Sequence, residues 1–185
     1  MKKSNGFTLV ESLFVIAVFS ILATMATSFL GSLQLKMEGR TAISLLASSL
    51  ADARNTAISR QVAVATCGSR NASACDNLWQ EGVLVFLDPD GNNKPSSASD
   101  ILGFYRIETN KGNITWKGFG AGSGLRFDRY GRASASNGSF TYCPGNKENQ
   151  YARQIIINRG GRVRYSRDKN GDGIHEDASG SALRC

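Results

Sequence analysis

The chain has 185 residues, of which 22 are Lys or Arg and 15 are Asp or Glu, and its formal net charge is +7. This length suits one soluble domain beside a helix of about thirty residues, and it excludes a large multidomain protein. The single histidine, the lack of a nucleophile–base pair and the lack of a phosphate-cradling loop beside a helix argue against an enzyme.

The N-terminal stretch combines a short basic leader with a long apolar run. Lys2 and Lys3 precede Gly6, and residues 7–33 are then apolar or small, with Glu11 as the only formally charged residue among them. About 20 apolar residues in a helix span a bilayer, so this run predicts a membrane helix. A carboxylate in hydrocarbon costs about 2.5–3.5 kcal/mol, so Glu11 should have a partner.

The stretch Gly6-Phe7-Thr8-Leu9-Val10-Glu11 resembles the class III signal of type IV pilins and type II secretion pseudopilins. The resemblance implies that a prepilin peptidase cuts between Gly6 and Phe7 and methylates the new N-terminal Phe7. It also implies that Glu11 guides helix packing in the filament. We expect Glu11 to pair with a new N-terminal ammonium, either that of its own Phe7 or, in an assembly, that of another subunit. An ordinary secretory signal is a poorer interpretation, because the run is too long and Glu11 interrupts it. A plain single-span anchor is the other alternative.

Apolar residues continue at helical spacing beyond the membrane run and predict one long helix from about Thr8 to Arg60. Its first half is apolar all round, and residues 34–60 are amphipathic. Gly31 and Gly39 should weaken it locally, since glycine costs about 0.5–1 kcal/mol relative to alanine in a helix. The stripe consists of Leu30, Leu33, Met37, Ile43, Leu46, Leu50, Ala53 and Ala57.

After Arg60 the sequence changes to short β-type runs separated by Gly, Asn, Ser and Pro. The prediction is an α+β fold in which the long N-terminal helix packs on antiparallel sheet. The expected organisation is a leader over residues 1–6, an apolar helix over 7–33, its amphipathic half over 34–60 and a β-rich globular domain over 61–185. The predicted strands are residues 61–66, 82–87, 102–108, 113–116, 125–127, 139–142, 153–158 and 162–165.

The four cysteines, Cys67, Cys75, Cys143 and Cys185, all lie beyond the predicted helix. An even number of cysteines, in a domain that a membrane helix places outside the cytoplasm, suggests two disulfides. Three pairings are possible. We favour Cys67–Cys75, which closes a short polar loop, and Cys143–Cys185 would then hold the C-terminus against the sheet.

Motifs in the body of the chain resemble the GspH/FimT group of minor pilins and pseudopilins. They include Trp79-Gln80-Glu81-Gly82, the Asp90-Gly91-Asn92 turn, Gly131-Arg132 and Gly161-Arg162-Val163-Arg164. The resemblance implies a type IV pilin-like fold and a single-pass protein of the inner membrane with a periplasmic globular domain. It also implies later transfer to a pilus or pseudopilus, with other major and minor pilins as partners.

The leading functional interpretation is a minor type IV pilin that joins a pilus or primes its assembly. A type II secretion pseudopilin is one alternative, and a DNA-binding minor pilin for natural transformation is the other. Some FimT-like minor pilins of transformable bacteria bind DNA through a C-terminal Gly-Arg-x-Arg motif, which residues 161–164 match.

Residues 126–169 contain ten Lys or Arg against three acids, which suits the phosphates of double-stranded DNA. Arg162 and Arg164 should share one strand face, with Arg159 and Arg167 beside them. The other interpretation of these charges is a solvated strand edge, or a salt-bridge face toward neighbouring pilins.

Asp168, Asn170 and Asp172 alternate and are followed by glycine, like the first half of a calcium loop. An EF-hand would need a glutamate at its twelfth position, where this chain has Ser179. Calcium is therefore a weak expectation beside that of a plain polar turn, and no other cofactor is expected.

Overall fold

The computed structural model describes residues 7–119, 124–133 and 137–185, except for the side chains of residues 25–29. Gly6 and the rest of the predicted leader lie outside the described residues. The described chain divides into two compact units, one ending at Met37 and one spanning Glu38–Cys185. The elements are α1 (Leu9–Arg60), β1 (Val64–Gly68), β2 (Gly82–Leu87), β3 (Ile101–Arg106), β4 (Asn113–Gly118), β5 (Leu125–Phe127), β6 (Gly138–Cys143), β7 (Arg153–Ile157) and β8 (Val163–Tyr165), with short 3-10 helices at Ala98–Asp100 and Asn149–Tyr151.

The first unit consists of the N-terminal half of α1. Between Phe7, at 83%, and Leu33, at 39%, every large apolar side chain that is described is exposed, and Leu35 beyond them is half-buried. The segment predicted to span the membrane, residues 7–33, includes the five side chains that lie outside the description. Within the described part of the chain, no helix combines the length and the apolar character needed to cross a membrane.

The strands of the second unit form two four-stranded antiparallel sheets, with the orders β3-β2-β1-β5 and β4-β6-β7-β8. β5 follows β4 in the chain but pairs with β1, where Val64 lies opposite Phe127. The predicted α+β fold, with a long N-terminal helix and antiparallel sheet, is confirmed.

The helix ends at Arg60 as the apolar pattern predicts, but the first strand begins later than predicted. β1 starts at Val64, whereas the sequence placed a strand from residue 61. Gln61 has a left-handed backbone with φ of 55°, and its Nε2 donates to the carbonyl oxygen of Ile58 at 2.7 Å. A left-handed residue is a common way to end a helix, so Gln61 belongs to the helix terminus and not to the strand.

The core of the second unit lies between the second half of α1 and both sheets. The buried helix face packs in one cluster with side chains that include Val85 of β2 and Ile155 of β7. Trp79 joins this cluster, and its ring centroid lies 4.6 Å from that of Phe140. The buried apolar residues of this helix face are Ala42, Ile43, Leu46, Ala47, Leu50, Ala53 and Ala57.

Gly39 allows α1 to approach β6 closely. A Cβ atom at Gly39 would lie 2.9 Å from Cε1 of Tyr142 and 3.1 Å from the carbonyl oxygen of Tyr151. One residue earlier, Oε1 of Glu38 accepts hydrogen bonds from the hydroxyl of Tyr142 at 2.9 Å and from the backbone N–H of Asn110 at 2.8 Å. The low helix propensity of glycine at position 39 therefore coincides with a contact that a larger residue would disturb.

We expect Gly39→Ala to destabilise the second unit by about 1–3 kcal/mol, although alanine is the better helix former, because the added methyl overpacks the Tyr142 contact. Urea unfolding of the full chain in nonionic detergent, followed by tryptophan fluorescence, measures this change. Gly31→Ala is the matched control, since nothing lies within 4 Å of a Cβ there, and it should not lower the midpoint. Equal or higher stability of Gly39→Ala would show that the close approach is not required.

Candidate functional site

The start of α1 is organised by Thr8 and Glu11. Oε2 of Glu11 accepts hydrogen bonds from the backbone N–H of Thr8 at 3.1 Å and from its hydroxyl at 3.0 Å. In return, the backbone N–H of Glu11 donates to the hydroxyl oxygen of Thr8 at 3.3 Å. This reciprocal pattern is a capping box, in which a threonine before the helix and a glutamate three residues later satisfy free N–H groups.

The capping box gives Glu11 a partner within its own chain. The partner expected from the sequence was an N-terminal ammonium, of the chain itself or of another subunit, although the Thr-x-x-Glu spacing also indicates a capping box. Pairing with a second subunit stays a prediction. Phe7 is strongly exposed, and the predicted cleavage and methylation site next to it involves Gly6, which lies outside the described residues.

Both disulfides favoured from the sequence are present. Cys67 is bonded to Cys75 and Cys143 to Cys185, each with Cα atoms 5.6 Å apart. The first bond closes a loop after β1. The second joins the end of β6 to residue 185, whose backbone N–H also donates to Oδ1 of Asn149 at 3.0 Å.

Two turns of the second unit lie against each other and are named here the two basic turns, residues 128–132 and residues 158–162. Each contains a glycine in the left-handed region, Gly131 with φ of 73° and Gly161 with φ of 76°. A Cβ atom at Gly161 would lie 2.1 Å from the carbonyl oxygen of Gly131, so only glycine fits there. Nε of Arg54 in α1 donates to that same oxygen at 2.9 Å, and its Nη2 reaches the carbonyl oxygen of Gly160 at 3.5 Å.

The predicted DNA-binding residues lie on and beside the second of these turns. Arg159, Arg162, Arg164 and Arg167 are all exposed. Val163 packs toward the core, and strand alternation places Arg162 and Arg164 together on the opposite face. Among the described residues, none accepts a hydrogen bond from these four side chains or forms an ion pair with them. They are therefore available to bind an anion.

The first basic turn adds cationic residues that the Gly-Arg-x-Arg motif does not contain. The guanidinium carbons of Arg129 and Arg132 lie 5.2 and 5.0 Å from the ring centroid of exposed Tyr130. Nε of Arg132 also donates to Asp128 at 2.8 Å. Burial alone would raise the pKa of Asp128, but hydrogen bonds from Arg132 and Tyr130 lower it, so this carboxylate stays charged and offsets Arg132.

Two of the ten basic residues do not belong to an exposed basic face. Arg126 is paired with fully buried Asp88, with Nε at 2.7 Å from Oδ2 and Nη2 at 2.9 Å from the carbonyl oxygen. Arg153 is buried and donates to the carbonyl oxygens of Gln150 and Ala152, and burial lowers its pKa. Counting charges along the sequence could not separate these structural arginines from the exposed ones.

The three residues of the predicted calcium loop form a tight polar turn. The two carboxylate oxygens of Asp168 accept backbone hydrogen bonds from Gly171 at 2.7 Å and from Gly173 at 2.8 Å, and these bonds lower its pKa. Asn170 donates through Nδ2 to Asp172 at 3.0 Å. Within the described ranges, no three His, Cys, Asp or Glu side chains converge to hold a metal ion. Calcium binding at Asp168, Asn170 and Asp172 stays a prediction.

Comparisons with known proteins give both family and fold. The family model for the type II transport protein GspH matches residues 42–161, and that for the prokaryotic N-terminal methylation motif matches residues 1–27. No curated protein sequence matches the chain.

Two similar solved structures are crystal forms of the Pseudomonas aeruginosa (strain PAO1) type IV minor pilin FimU. One has a TM-score of 0.52 and 16% identity and covers 69% of this chain and 87% of that chain. The other has a TM-score of 0.49 and 19% identity and covers 69% of this chain and 92% of that chain. At 16% identity, the first likeness shows the fold.

The motif and the family are those of membrane-anchored proteins that a prepilin peptidase processes and that assemble with other pilins. Pilins are structural proteins, so the family agrees with the expectation that the chain is not an enzyme. Because the GspH model matches more than half of the chain and the methylation motif covers its N-terminus, the chain belongs to the GspH/FimT-like family of type IV minor pilins and pseudopilins.

Proposed function

We propose that this chain is a minor subunit of a type IV pilus, made as a prepilin that is cleaved between Gly6 and Phe7 and methylated on Phe7. Before assembly, α1 would hold it in the inner membrane as a single-pass protein with its globular domain in the periplasm. It would then join the filament, or prime its assembly, through contacts with other major and minor pilins.

One observation carries this proposal: the large apolar side chains of residues 7–33 are exposed wherever the structure describes them. Phe7, Leu9 and Val10 are each more than 70% exposed, and the exposure of large apolar side chains continues to residue 33. An apolar surface of this extent marks an interaction with a membrane or with other proteins. Lipid would cover it before assembly, and the helices of neighbouring subunits would cover it in the filament.

Glu11 has capacity for a second partner. A carboxylate can accept about four hydrogen bonds, and within the described chain those to Glu11 end on Oε2. Oε1 is therefore available to the ammonium of another subunit's Phe7. That contact would neutralise two charges in an apolar filament core, where an unpaired charge is costly.

Glu11→Gln separates the two roles of this side chain. Glutamine at this position still forms a capping box but carries no charge, so α1 should start normally while assembly fails. Pilus incorporation, measured by immunoblotting of sheared pili, should fall for Glu11→Gln as far as for Glu11→Ala. Processing of both variants, followed by intact mass, should be unchanged.

Thr8→Val is the matched control, because it removes the capping hydroxyl and keeps the charge of Glu11. Its incorporation should stay close to that of the unaltered protein, since losing a cap costs only about 1 kcal/mol. Normal incorporation of Glu11→Gln would contradict the charge-pairing argument and leave Glu11 with a capping role alone.

The choice between pilus and secretion is tested by deleting the gene in its own host. Loss of surface pili, restored by the unaltered gene, is the expected result. Loss of secreted enzymes with normal piliation would overturn the proposal and assign the chain to a type II secretion pseudopilus.

DNA binding is a second candidate function, favoured by the exposed arginines of the second basic turn. Arg162 and Arg164 share a face, Arg159 and Arg167 flank them, and the described residues offer these four no acidic partner. Guanidinium groups in this arrangement suit the phosphates of double-stranded DNA, so binding would be independent of base sequence and sensitive to salt. Tyr130 and Tyr165 are exposed aromatic residues beside them.

The expected result is binding of a short fluorescein-labelled DNA duplex by the full chain in nonionic detergent, weakening as salt rises. Arg162→Gln/Arg164→Gln should reduce the slope of log affinity against log salt by about 2, since two phosphate contacts are lost. Fluorescence anisotropy across a salt series measures both quantities.

Lys94→Gln/Arg106→Gln is the matched control, because it removes the same charge from exposed positions around the first sheet. This variant should keep the salt slope of the unaltered protein. Equal effects of the two double variants, or no binding at all, would exclude a specific role of the Gly-Arg-x-Arg motif and favour a pilin–pilin contact for this surface.

A further inference from the structure

The outer face of the second sheet forms one side of a groove of about 770 Å³, and residues 177–185 form the opposite side. This groove, named here the C-terminal groove, is lined by β4, β6 and β7 and by the turn after β6. Strand alternation explains its polar character. Ile114, Phe140 and Ile155 point into the core from these strands, so their neighbours in the chain point outward.

The floor of the C-terminal groove is a row of polar side chains from three paired strands. Thr115 lies opposite Thr141, and Thr141 lies opposite Gln154, so the three residues are in register across the sheet. Nε2 of Gln154 donates to the hydroxyl oxygen of Thr141 at 2.9 Å. The floor therefore offers hydroxyl and amide groups and no apolar platform.

Gln154 has a buried polar atom without a partner. Its side chain lines the groove and the residue is only 7% exposed, yet Oε1 accepts no hydrogen bond from any residue that the structure describes. If the amide were turned over, Thr141 would donate to the oxygen and the nitrogen would lack a partner instead. That atom is itself buried, and the floor groups that a ligand can reach are those of exposed Asn113 and Thr115, which offer both donors and acceptors.

The rim of the groove is cationic. Lys111, Lys117, Lys147 and Arg184 line it, all are exposed, and none of them forms an ion pair with a residue in the described ranges. Asp177 is the one acidic side chain of the lining. Its Oδ1 accepts hydrogen bonds from the backbone and hydroxyl of Ser179 and from the backbone of Ser181, so it is occupied within its own turn.

The C-terminal side of the groove is held in place. Cys185 is bonded to Cys143 at the end of β6, and Leu183 is buried and donates its backbone N–H to the carbonyl oxygen of His175 at 2.9 Å. A fixed wall lowers the entropy lost when a flexible ligand binds.

We propose that the C-terminal groove binds an extended acidic peptide segment of a neighbouring protein. The N–H and C=O groups of an extended backbone match the side-chain amide of Asn113 and the hydroxyl of Thr115, each of which can donate and accept. Acidic side chains of the peptide match the four unpaired cations of the rim. A bare phosphate or sulfate matches the charges but offers no N–H donor to the floor. None of the residues that line the C-terminal groove belongs to the apolar half of α1 or to the two basic turns.

The test uses the full chain in nonionic detergent and a fluorescein-labelled peptide of alternating glutamate and threonine. Anisotropy should show saturable binding, and a peptide of equal length with lysine in place of glutamate should not bind. Lys117→Gln/Arg184→Gln should weaken binding about tenfold, because two exposed charge pairs are lost. The control Lys94→Gln/Arg106→Gln removes equal charge outside the groove and should leave the affinity unchanged.

Thr115→Val tests the floor separately from the charges. The substitution keeps the shape of the side chain and removes an exposed hydroxyl, so peptide affinity should fall while the unfolding temperature does not. A fall in both would assign Thr115 to the fold and remove the floor from the proposal.

Several results would overturn the proposal as a whole. These are no saturable binding of the acidic peptide, equal weakening by the groove variant and the control variant, and equal binding of an oligogalacturonate that Lys117→Gln/Arg184→Gln weakens as much as it weakens peptide binding. The last result would identify a general polyanion surface without selectivity for peptide.

Discussion

The close contact between the second half of α1 and the sheet that contains β6 is the constraint on which the rest of the second unit depends. Gly39 allows the helix to lie against Tyr142, and the carboxylate of Glu38 accepts a hydrogen bond from the hydroxyl of that tyrosine. The same helix carries Arg54, whose side chain joins the two basic turns. One helix therefore buries the core and also sets the position of the exposed arginines. The arrangement of the candidate DNA-binding surface is thus a consequence of core packing.

The elements of the fold were largely readable from the sequence, because each depends on local patterns. β2 and β5 have the predicted bounds, and the long helix follows from its apolar spacing. The division into two sheets was not readable, since it depends on β5 leaving its neighbour β4 to pair with β1. Nothing within five residues of a strand specifies a partner some sixty residues away. The close approach at Gly39 was likewise not predictable, because helix propensity contains no information about what lies opposite.

The candidate sites were predicted with uneven success for the same reason. The Gly-Arg-x-Arg residues are exposed as the motif suggests, but Arg126 and Arg153 were counted with them although both are used inside the fold. The C-terminal groove could not be predicted from the sequence, because its lining residues come from separate parts of the chain: β4, β6, the turn after β6, β7 and the last nine residues. Thr8 and Glu11 have the Thr-x-x-Glu spacing of a capping box, so this contact was predictable from local sequence alone.

The bond between Cys143 and Cys185 has a wider consequence than holding the last residue. It closes a loop with a sequence separation of 42, against 8 for Cys67–Cys75. In the chain-entropy model, closing a loop of that length lowers the conformational entropy of the unfolded chain and stabilises the folded state by about 4 kcal/mol. The enclosed stretch contains β7, β8, the second basic turn and one wall of the C-terminal groove. Reduction of this one bond would loosen both candidate binding surfaces together. An oxidising compartment thus becomes a condition for either surface to be fully formed.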